Sequence, residues 1–402
     1  MRRSRRRPCH PDWSAAPASH DQLQSSKGQP RPIAVRLTCQ SFFYNHQSHH
    51  RGTNMIIDCH GHFTTTPPQV PAYRAQQVAE YHRTGKAVRI EPPEVTDEEI
   101  RSGISNNQLR SMRERGIDLT IFSPRAVGMD HHFGNEETNV QWARFNNDLV
   151  HRACTLFPDH FVGACQLPQA GGTRPGQQVF DELDRCINGY GFIGANLNPD
   201  PTGGRWSDPP LWDKTWWYPL YEKLVELDVP AMIHVSGSCN PHFDAVATHY
   251  INGDTTAFVQ FMTSDIFKDF PTLKFIIPHG GGAAPYHWGR YRGIAQDMGL
   301  APLEDKVLNN VFFDTCVYHQ PGIDLLLKVV PAKNILFGSE TIGAVRGIDP
   351  RTDRYYDDTR FYVDASKEIS AATKKMIYAD NALGVYSRLK NHPKCSACAA
   401  AQ

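Results

Sequence analysis

Eight short apolar runs, each followed by a longer segment with helical spacing, constrain the fold of this chain more than any other feature of its sequence. Most of the runs are continuous rather than alternating, which is typical of parallel strands buried on both faces. Strands and helices that alternate in this way predict an α/β fold, specifically a (β/α)8 TIM-type barrel with loop insertions. The predicted strands are residues 55–62, 119–125, 161–167, 192–198, 231–236, 274–279, 311–316 and 335–340.

Helical patterns fill the gaps between these runs. Residues 96–99 read Thr-Asp-Glu-Glu, a capping box, and apolar residues then recur at helical spacing as far as Arg115. Residues 211–227, 255–270 and 366–378 predict further helices. A doubly wound open sheet is the alternative architecture, but no glycine-rich dinucleotide loop follows the first strand.

The chain divides into three parts by composition. Residues 1–54 hold nine Lys or Arg against two Asp and show no periodicity, so we predict a disordered basic leader. A secretory signal would require an apolar stretch after the positive start, and none is present. There are two other interpretations of this segment: a transit peptide, or a start codon set too early, with Met55 as the true beginning. Residues 55–390 are predicted to form the barrel, with insertions at 64–95 and 200–217, and residues 391–402 a flexible tail.

Charge and cysteine usage exclude several classes of function. The formal net charge is zero, which argues against nucleic acid or an anionic membrane as the main partner. No apolar run reaches the roughly 18 residues that a membrane span requires. Ten cysteines in 402 residues are not a disulfide framework, so we expect a reducing, cytoplasmic setting. Cys395 and Cys398 have CxxC spacing, but a single pair is weak evidence for a zinc site.

Histidine and acidic side chains recur near the predicted strand ends. In a (β/α)8 barrel the carboxyl ends of all strands face one pocket, where catalytic residues lie. Four of the eight predicted strands carry His or Glu near this end, which chance placement of 19 histidines would rarely give. In chain order the residues at or just past strand ends are His60, His62, Arg125, Asn198, His234, His279, His319 and Glu340.

Three of these histidines predict a metal site. Residues i and i+2 of a strand face the same side, so His60 and His62 turn inward together, while Gly61 lets the backbone crowd closely. With His234 from across the barrel they form a three-nitrogen site that is open on one side, as catalytic zinc prefers. Asp58 can orient one of the ligands from behind. We therefore expect one divalent metal ion, Zn2+.

Several of these residues also have a purely structural interpretation. His234 can be a satisfied core histidine, and the glycines after His279 can serve only a tight turn. Glu340 is harder to explain in this way, because a carboxylate at a barrel mouth is costly unless it is paired or metal-bound. Two pairs of adjacent histidines and one pair of adjacent tryptophans have structural interpretations as well. His49-His50 and His131-His132 lie in polar loops and are predicted to be solvated. Trp216-Trp217 is predicted to serve packing or to form a lid.

The motifs of these strands resemble the amidohydrolase superfamily, in the branch that contains aminocarboxymuconate semialdehyde decarboxylase and γ-resorcylate decarboxylase. The resemblance runs from Met55 to about Leu389. It implies a metal-dependent barrel whose ligands include the histidines named above. The motifs that carry it are HGH at 60–62, MIHVS at 232–236, KFIIPHGGG at 274–282, LFGSE at 336–340 and the helical DNAL at 380–383.

One position departs from the decarboxylases of that branch. They end the eighth strand with Gly-Ser-Asp, whose Asp binds metal, whereas this chain has Gly338-Ser339-Glu340. The exchange resembles the family of 4-oxalomesaconate hydratases of protocatechuate and gallate degradation, as do the runs 196–201, 285–290, 314–322 and 343–351. This resemblance implies reversible addition of water to a carbon–carbon double bond of a tricarboxylic enol or keto acid, and its members imply a homodimer.

A small polycarboxylate substrate needs cations and hydrogen-bond donors at the mouth of the barrel. Arg125, Arg290 and Arg346 follow or lie near strand ends and can bind carboxylates. Asn198 and His319 are the other candidate substrate-binding residues. No nucleic-acid or membrane partner is expected.

Two residues are the candidates for catalysis. Glu340, longer than the ligand Asp of the decarboxylases, can leave the metal and act as general acid or base on the reacting carbons. His279 can hold the attacking water or stabilise a developing enolate. The alternative functions are a decarboxylase or hydrolase of the same superfamily, acting on an aromatic or muconate-type acid, and a non-catalytic barrel used for binding or as a scaffold. The intact set of histidines with Glu340 argues against the scaffold.

Overall fold

Short parallel strands form the centre of the molecule, as the eight apolar runs predict. The computed structural model describes residues 55–400, with side chains as far as residue 396; the predicted leader and His49-His50 lie outside them. The strands are β1 (Ile57–Phe63), β2 (Leu119–Pro124), β3 (Phe161–Gly163), β4 (Cys165–Gln166), β5 (Ala195–Leu197), β6 (Ala231–Ile233), β7 (Phe275–Ile277) and β8 (Val311–Phe313). They pair in the orders β1-β2-β3 and β4-β5-β6-β7-β8. Because β3 and β4 are separated only by Ala164, they act as one barrel strand.

The predicted eighth strand closes the barrel without forming a regular strand. Its last residue, Glu340, has a φ of +52°, a left-handed conformation that strand geometry does not allow. Segment 335–340 nevertheless bonds to the neighbouring strands on both sides, so the ring is complete. The closing bonds, each 2.8 Å long, run from Leu336 N to Phe313 O, from Cys59 N to Phe337 O and from Glu340 N to His60 O.

Helices surround the strands, with boundaries that differ from the predicted ones in several places. The capping box at Thr96 is present, since Thr96 and Glu99 bond reciprocally and the first helix after it begins at Asp97. The helices are α1 (Gln69–Thr84), α2 (Asp97–Asn106), α3 (Gln108–Arg115), α4 (Glu136–Leu156), α5 (Gln177–Asp184), α6 (Tyr218–Glu226), α7 (Tyr250–Met262), α8 (Ile266–Asp269), α9 (Trp288–Asp297), α10 (Leu303–Lys306), α11 (Gln320–Val329), α12 (Thr359–Ala365), α13 (Ala371–Lys375), α14 (Asn381–Val385) and α15 (Pro393–Ala400). An antiparallel hairpin follows the closing segment. Its two strands, β9 (Ile348–Asp349) and β10 (Arg354–Tyr355), have two residues each.

The predicted insertion at 64–95 contains a helix with a defined structural role. Arg74 of α1 is buried, and its guanidinium donates to the carbonyls of Met129 and Asp130 and to Asn139 Oδ1. It thereby holds the loop that follows β2. The other predicted insertion, at 200–217, has no regular helix or strand, and Trp217 in it is fully buried, in agreement with a packing role.

The two ends of the barrel interior differ in polarity. At the amino-terminal end of the strands, apolar side chains such as Ile57, Leu119 and Ile276 meet Tyr386 and Leu389 from the end of the chain, which close the floor. The buried side chains of His60, His62, His234 and Glu340 lie at the other end, where the strands terminate. α15 lies within the predicted tail, and Cys395 of this helix packs into the same cluster. The flexibility of residues 391–402 stays a prediction.

No helix among residues 55–400 is both long enough and apolar enough to cross a membrane.

Candidate metal centre and active site

Three histidines and one glutamate converge at the polar end of the barrel. His60 Nε2 lies 3.0 Å from His62 Nε2, which lies 3.3 Å from His234 Nε2. One ligand atom from each of these residues and one carboxylate oxygen of Glu340 all lie within 4.8 Å of one another, and all four side chains are buried. The structure thus brings together the three predicted metal ligands and adds Glu340 to them.

A register shift in β1 places the first two histidines. Ile57 and Cys59 belong to the apolar cluster inside the barrel, so unbroken alternation would turn His60 to the outer face. The pairing of β1 with β2 shifts between Asp58 and Gly61, and such a bulge re-aims the side chains that follow it. Simple i, i+2 alternation, the basis of the prediction, is therefore only part of the reason that His60 and His62 both point to the site.

The far side of each histidine ring is held by the protein. His60 Nδ1 donates to Asp314 Oδ2 at 2.7 Å, and His234 Nδ1 donates to the carbonyl of Val235 at 2.9 Å. Because Asp314 and a carbonyl can only accept, both Nδ1 atoms carry the hydrogen, which leaves Nε2 as the nitrogen of each ring that can bind a metal. His62 Nδ1 lies 2.8 Å from Ser123 Oγ, which fixes the third ring.

The donor set fits a divalent metal ion. Lone pairs that face each other at about 3 Å repel in the absence of a cation, whereas a cation between them is bound by all of them. Burial first, and then the neighbouring imidazoles, lower the pKa of His62 and of His234 well below the ordinary value. Both rings are therefore neutral at physiological pH, the form that binds metal. His60, His62 and His234 would hold the ion, with Glu340 within reach.

Asp58 lies behind the site but does not touch a histidine ring. Its Oδ1 accepts from the backbone N–H groups of His60 and Ser339, and its Oδ2 accepts from the Ser339 hydroxyl. It links β1 to the segment that carries Glu340. The predicted contact with a ligand ring is made instead by Asp314.

Glu340 stands between the histidine cluster and a second pair of residues. Tyr318 Oη donates to Glu340 Oε2 at 2.6 Å, and the same oxygen lies 3.8 Å from His279 Nε2. Gly343 packs closely on the Glu340 side chain, where any larger residue would collide with it. The carboxylate is thus positioned to face both the metal ligands and His279.

His279 forms a buried ion pair with Asp254 of α7. Nδ1 of His279 donates to Asp254 Oδ2 at 2.7 Å. Burial lowers the pKa of His279, but the carboxylate of Asp254 more than offsets this effect and raises the pKa to about 9. Burial raises the pKa of Asp254 to about 6, against the opposing effect of His279. At neutral pH the pair is therefore an imidazolium and a carboxylate, and His279 Nε2–H faces Glu340.

Tyr250, at the start of α7, completes the wall of the site. Its ring stacks on that of His279 with centroids 5.0 Å apart, and it meets the ring of His234 edge to face at 4.9 Å. Burial raises its pKa well above the ordinary value, so the hydroxyl keeps its proton. The site therefore has one aromatic side.

The predicted substrate-binding cations lie at the surface. Arg125 is exposed where β2 ends, and its charge is close enough to lower the pKa of His62 slightly further. Arg290, Arg346 and His319 are also exposed, and among the described residues their side chains make no hydrogen bond to the four-residue cluster. Of these four residues, Arg125 is thus the one whose charge acts on the histidine cluster.

Asn198 and His131 form a buried network rather than an open surface. Asn198 Nδ2 donates to His131 Nδ1 at 2.9 Å and to Ser236 Oγ at 3.1 Å, while its Oδ1 accepts from Asp200 N. The predicted solvation of His131 is wrong: it is only 1% exposed, and burial lowers its pKa to about 3. With every polar atom of its amide engaged, Asn198 acts here as a support of the loops around the mouth.

Several site residues were missed by the sequence reasoning. Asp314 and Ser123 carry a usable signal, since each lies at the end of a strand, where it can reach a neighbouring ligand. Asp254, Tyr250 and Tyr318 carry none, because they lie on a helix or in a loop and meet the site only through tertiary packing.

Comparison with known proteins places this geometry in a family. The family model described as Amidohydrolase matches residues 57–388. The chain belongs to the amidohydrolase family. A 2-keto-4-carboxy-3-hexenedioate hydratase of this kind, from Sphingobium sp. (strain NBRC 103272 / SYK-6), is 54% identical over 337 residues, which are 83% of this chain and 97% of the relative.

Solved structures agree with this assignment to the amidohydrolases. The crystal structure of 4-oxalomesaconate hydratase from Rhodopseudomonas palustris is 52% identical, with a TM-score of 0.78 over 85% of this chain and 99% of that one. A dihydroxybenzoic acid decarboxylase from Polaromonas sp. JS666, solved with bound manganese and an inhibitor, is 20% identical with a TM-score of 0.62 over 85% of this chain and 99% of that one. The decarboxylase shares the fold alone.

The pairing of His279 with Asp254 predicts a pH effect that one substitution isolates. In Asp254→Asn burial still lowers the pKa of His279, and the largest of the charges that raise it is gone, so the pKa falls from about 9 although Glu340 and Asp314 still raise it. If catalysis uses the imidazolium, the alkaline limb of kcat/KM against pH moves from near pH 9 to lower pH. A shift of about two pH units lowers the rate at pH 8 by about tenfold.

The exposed Asp265→Asn, just past the end of the same helix, is the control and keeps the wild-type profile. An Asp254→Asn enzyme with an unshifted alkaline limb contradicts a role for protonated His279.

Proposed function

We propose that this protein is a hydratase that reversibly adds water to a carbon–carbon double bond of 4-oxalomesaconate. The observation that carries the proposal is the position of Glu340, whose carboxylate lies within reach of the three-histidine cluster on one side and 3.8 Å from His279 on the other. The similarity to hydratases at 54% and 52% identity, over nearly the whole length of each, supports it.

The residues can divide the chemistry of hydration between them. Water adds its oxygen to one carbon of the double bond, and a proton must reach the other. Glu340 can accept the proton of the water and move a proton to carbon, because its carboxylate has one strong hydrogen bond, from Tyr318, and a free side towards the site. The second oxygen of the carboxylate is thus left for the reacting atoms.

His279 can stabilise charge as the reaction proceeds. Addition of water to a conjugated enoate places negative charge on the oxygens of an enolate, and a fixed imidazolium donates a charge-assisted hydrogen bond to it. Asp254 keeps the proton on His279 through neutral pH. Arg125 at the mouth can bind a carboxylate of the substrate.

We assign Zn2+ as the metal, in a site made by His60, His62 and His234. Three neutral imidazoles with an open position are the ligand set of catalytic zinc, and a bound ion of this type polarises a substrate oxygen or acidifies water. Analysis of the metal content of the purified protein tests the identity of the ion. A homodimer in a cytoplasmic setting remains our expectation for the assembled protein.

The activity is tested by incubating the metal-loaded protein with oxalomesaconate and following the loss of its ultraviolet absorbance. Hydration removes the conjugation and leaves all the carbon in solution. Release of carbon dioxide identifies a decarboxylase instead, and an unchanged spectrum over several hours rejects both enzymes. His60→Ala protein is the blank for trace contaminants.

A further inference from the structure

The face of α3 that packs against the rest of the protein carries polar side chains beside its apolar ones. Gln108, Ser111 and Arg115 are each at most 8% exposed, as are their neighbours Leu109 and Met112. Burial of an amide or a guanidinium costs free energy unless hydrogen bonds compensate for it. The hydrogen-bond partners of these side chains therefore indicate what the polar face of this helix does.

Arg115 bonds to both ends of the loop that follows Glu340. Its Nη1 donates to Thr341 Oγ1 and, at 2.9 Å, to the carbonyl of Asp357. Its Nη2 donates to Asp357 Oδ1 at 2.7 Å, in an ion pair whose two side chains are both buried. One guanidinium thus links residues 341 and 357 and holds both of them against α3.

The first residue of α3 bonds to the strand that carries two of the metal ligands. Gln108 Nε2 donates to the carbonyl of His62 at 3.3 Å and to Thr64 Oγ1 at 3.2 Å. Thr64 Oγ1 in turn donates to the carbonyl of Ile342 at 2.8 Å. One short helix therefore holds the end of β1 and the segment after Glu340 together, and it fixes the carboxylate relative to the histidines.

The backbone conformation of Glu340 depends on such support. A φ of +52° is disfavoured for a residue with a side chain, and conformations of this kind persist only where the surrounding structure imposes them. Glu340 N donates to the carbonyl of His60 at 2.8 Å, which holds the residue on its amino-terminal side. On the carboxyl-terminal side the next residue is Thr341, whose hydroxyl oxygen accepts from Arg115. Release of Thr341 therefore lets the backbone of Glu340 relax and moves its carboxylate away from its partners.

We propose that Arg115 is a positioning residue for the hydration, which acts through Thr341 to hold the carboxylate of Glu340 in the position that the reaction requires. The inference rests on the proposed function, because it concerns the same proton transfer. The side chain of Arg115 bonds to Thr341 and Asp357 rather than to the metal cluster, so its effect on the reaction is indirect. Arginine suits this role because its planar guanidinium stays charged and presents its donors in fixed directions.

The kinetic test breaks the contact from each side. Thr341→Val removes only the hydroxyl and leaves the ion pair of Arg115 with Asp357 intact, whereas Arg115→Met removes the guanidinium. Each variant should lower kcat for oxalomesaconate by about 10- to 100-fold, because displacement of a catalytic group by about 1 Å has effects of this size. KM should stay within about twofold and the metal content at one ion per chain. Thr341→Ser retains the hydroxyl and should recover most of the wild-type kcat.

Arg360→Met is the matched control on the same side of the protein. Arg360 donates to the backbone carbonyl of Arg115 and forms an ion pair with Asp364, so its loss leaves the contact with Thr341 in place. This variant should keep the wild-type kcat and KM.

Crystal structures of metal-loaded Thr341→Val and Arg115→Met test the geometry without substrate. The hydrogen bond from Tyr318 to Glu340, 2.6 Å long in the wild-type chain, should be broken in both variants. Should the loss of the buried ion pair keep Arg115→Met from folding, Thr341→Val decides alone.

The proposal is overturned if the bond from Tyr318 to Glu340 is retained in the variants or if their kcat equals that of wild type. Loss of the metal from Thr341→Val also overturns it, since the effect would then lie on the histidine ligands. Failure of the proposed function is a separate result: wild-type protein then leaves oxalomesaconate unchanged, while a broken bond from Tyr318 to Glu340 in the variants still supports positioning by Arg115.

Discussion

Replacing Glu340 by glutamine is expected to lower kcat by about 100- to 10,000-fold, while the protein keeps its fold and its metal. Glutamine preserves the length of the side chain and can still accept the hydrogen bond from Tyr318, but it cannot carry a proton between water and carbon. Three histidines remain to bind the ion. Steady-state kinetics with oxalomesaconate, together with metal analysis of the same sample, measures both quantities.

Glu340→Asp is the informative companion variant. It keeps the charge but shortens the side chain by one methylene, so the carboxylate no longer reaches the position where it meets Tyr318 and His279. Turnover should fall nearly as far as in the glutamine variant. Near-normal turnover in Glu340→Gln would show that this carboxylate is not the acid or base, and loss of the metal in that variant would make it chiefly a ligand.

His60→Ala is expected to abolish stoichiometric metal binding and, with it, activity. His60 contributes Nε2 to the cluster, and its removal leaves only two of the three histidine ligands, His62 and His234. Two protein ligands are too few to bind a catalytic metal ion tightly. Metal content by mass spectrometry of the dialysed protein should fall to a small fraction of one ion per chain. His287→Ala, an exposed histidine outside the cluster, should retain the wild-type content.

A milder substitution tests whether Asp314 supports His60 as a metal ligand. Asp314→Asn weakens the hydrogen bond that fixes the tautomer of His60, so metal affinity should fall by about 10- to 100-fold without being abolished. A His60→Ala protein that still holds one ion per chain would place the metal elsewhere in the molecule.

The sequence predicted those parts of the fold and site that depend on local pattern. The apolar runs mark the strands, and His60, His234, His279 and Glu340 stand near strand ends that the barrel architecture brings together. The exact shape of the eighth strand was not predictable, because the left-handed backbone at Glu340 has no signature in a non-glycine residue.

Contacts between distant segments were beyond the reach of that reasoning. Asp254 meets His279 only because α7 packs across the mouth, and no spacing rule joins residues 25 positions apart. His131 reads as a polar loop residue, yet it is buried because Arg74 and Asn198 hold its loop against the barrel. Sequence patterns locate residues along an element, whereas such pairs depend on how elements approach one another.

The sealed floor of the barrel has a practical consequence for handling the protein. Tyr386 and Leu389 close the end opposite the metal centre, and α15 packs beside them, with Lys394 bonded to the carbonyl of Asp118. If the protein is attached to a solid support, or to a fusion partner, through a linker placed after α15, the substrate entrance therefore faces away from the attachment point. Deletion back to residue 376 would instead remove the floor and open the apolar interior to water.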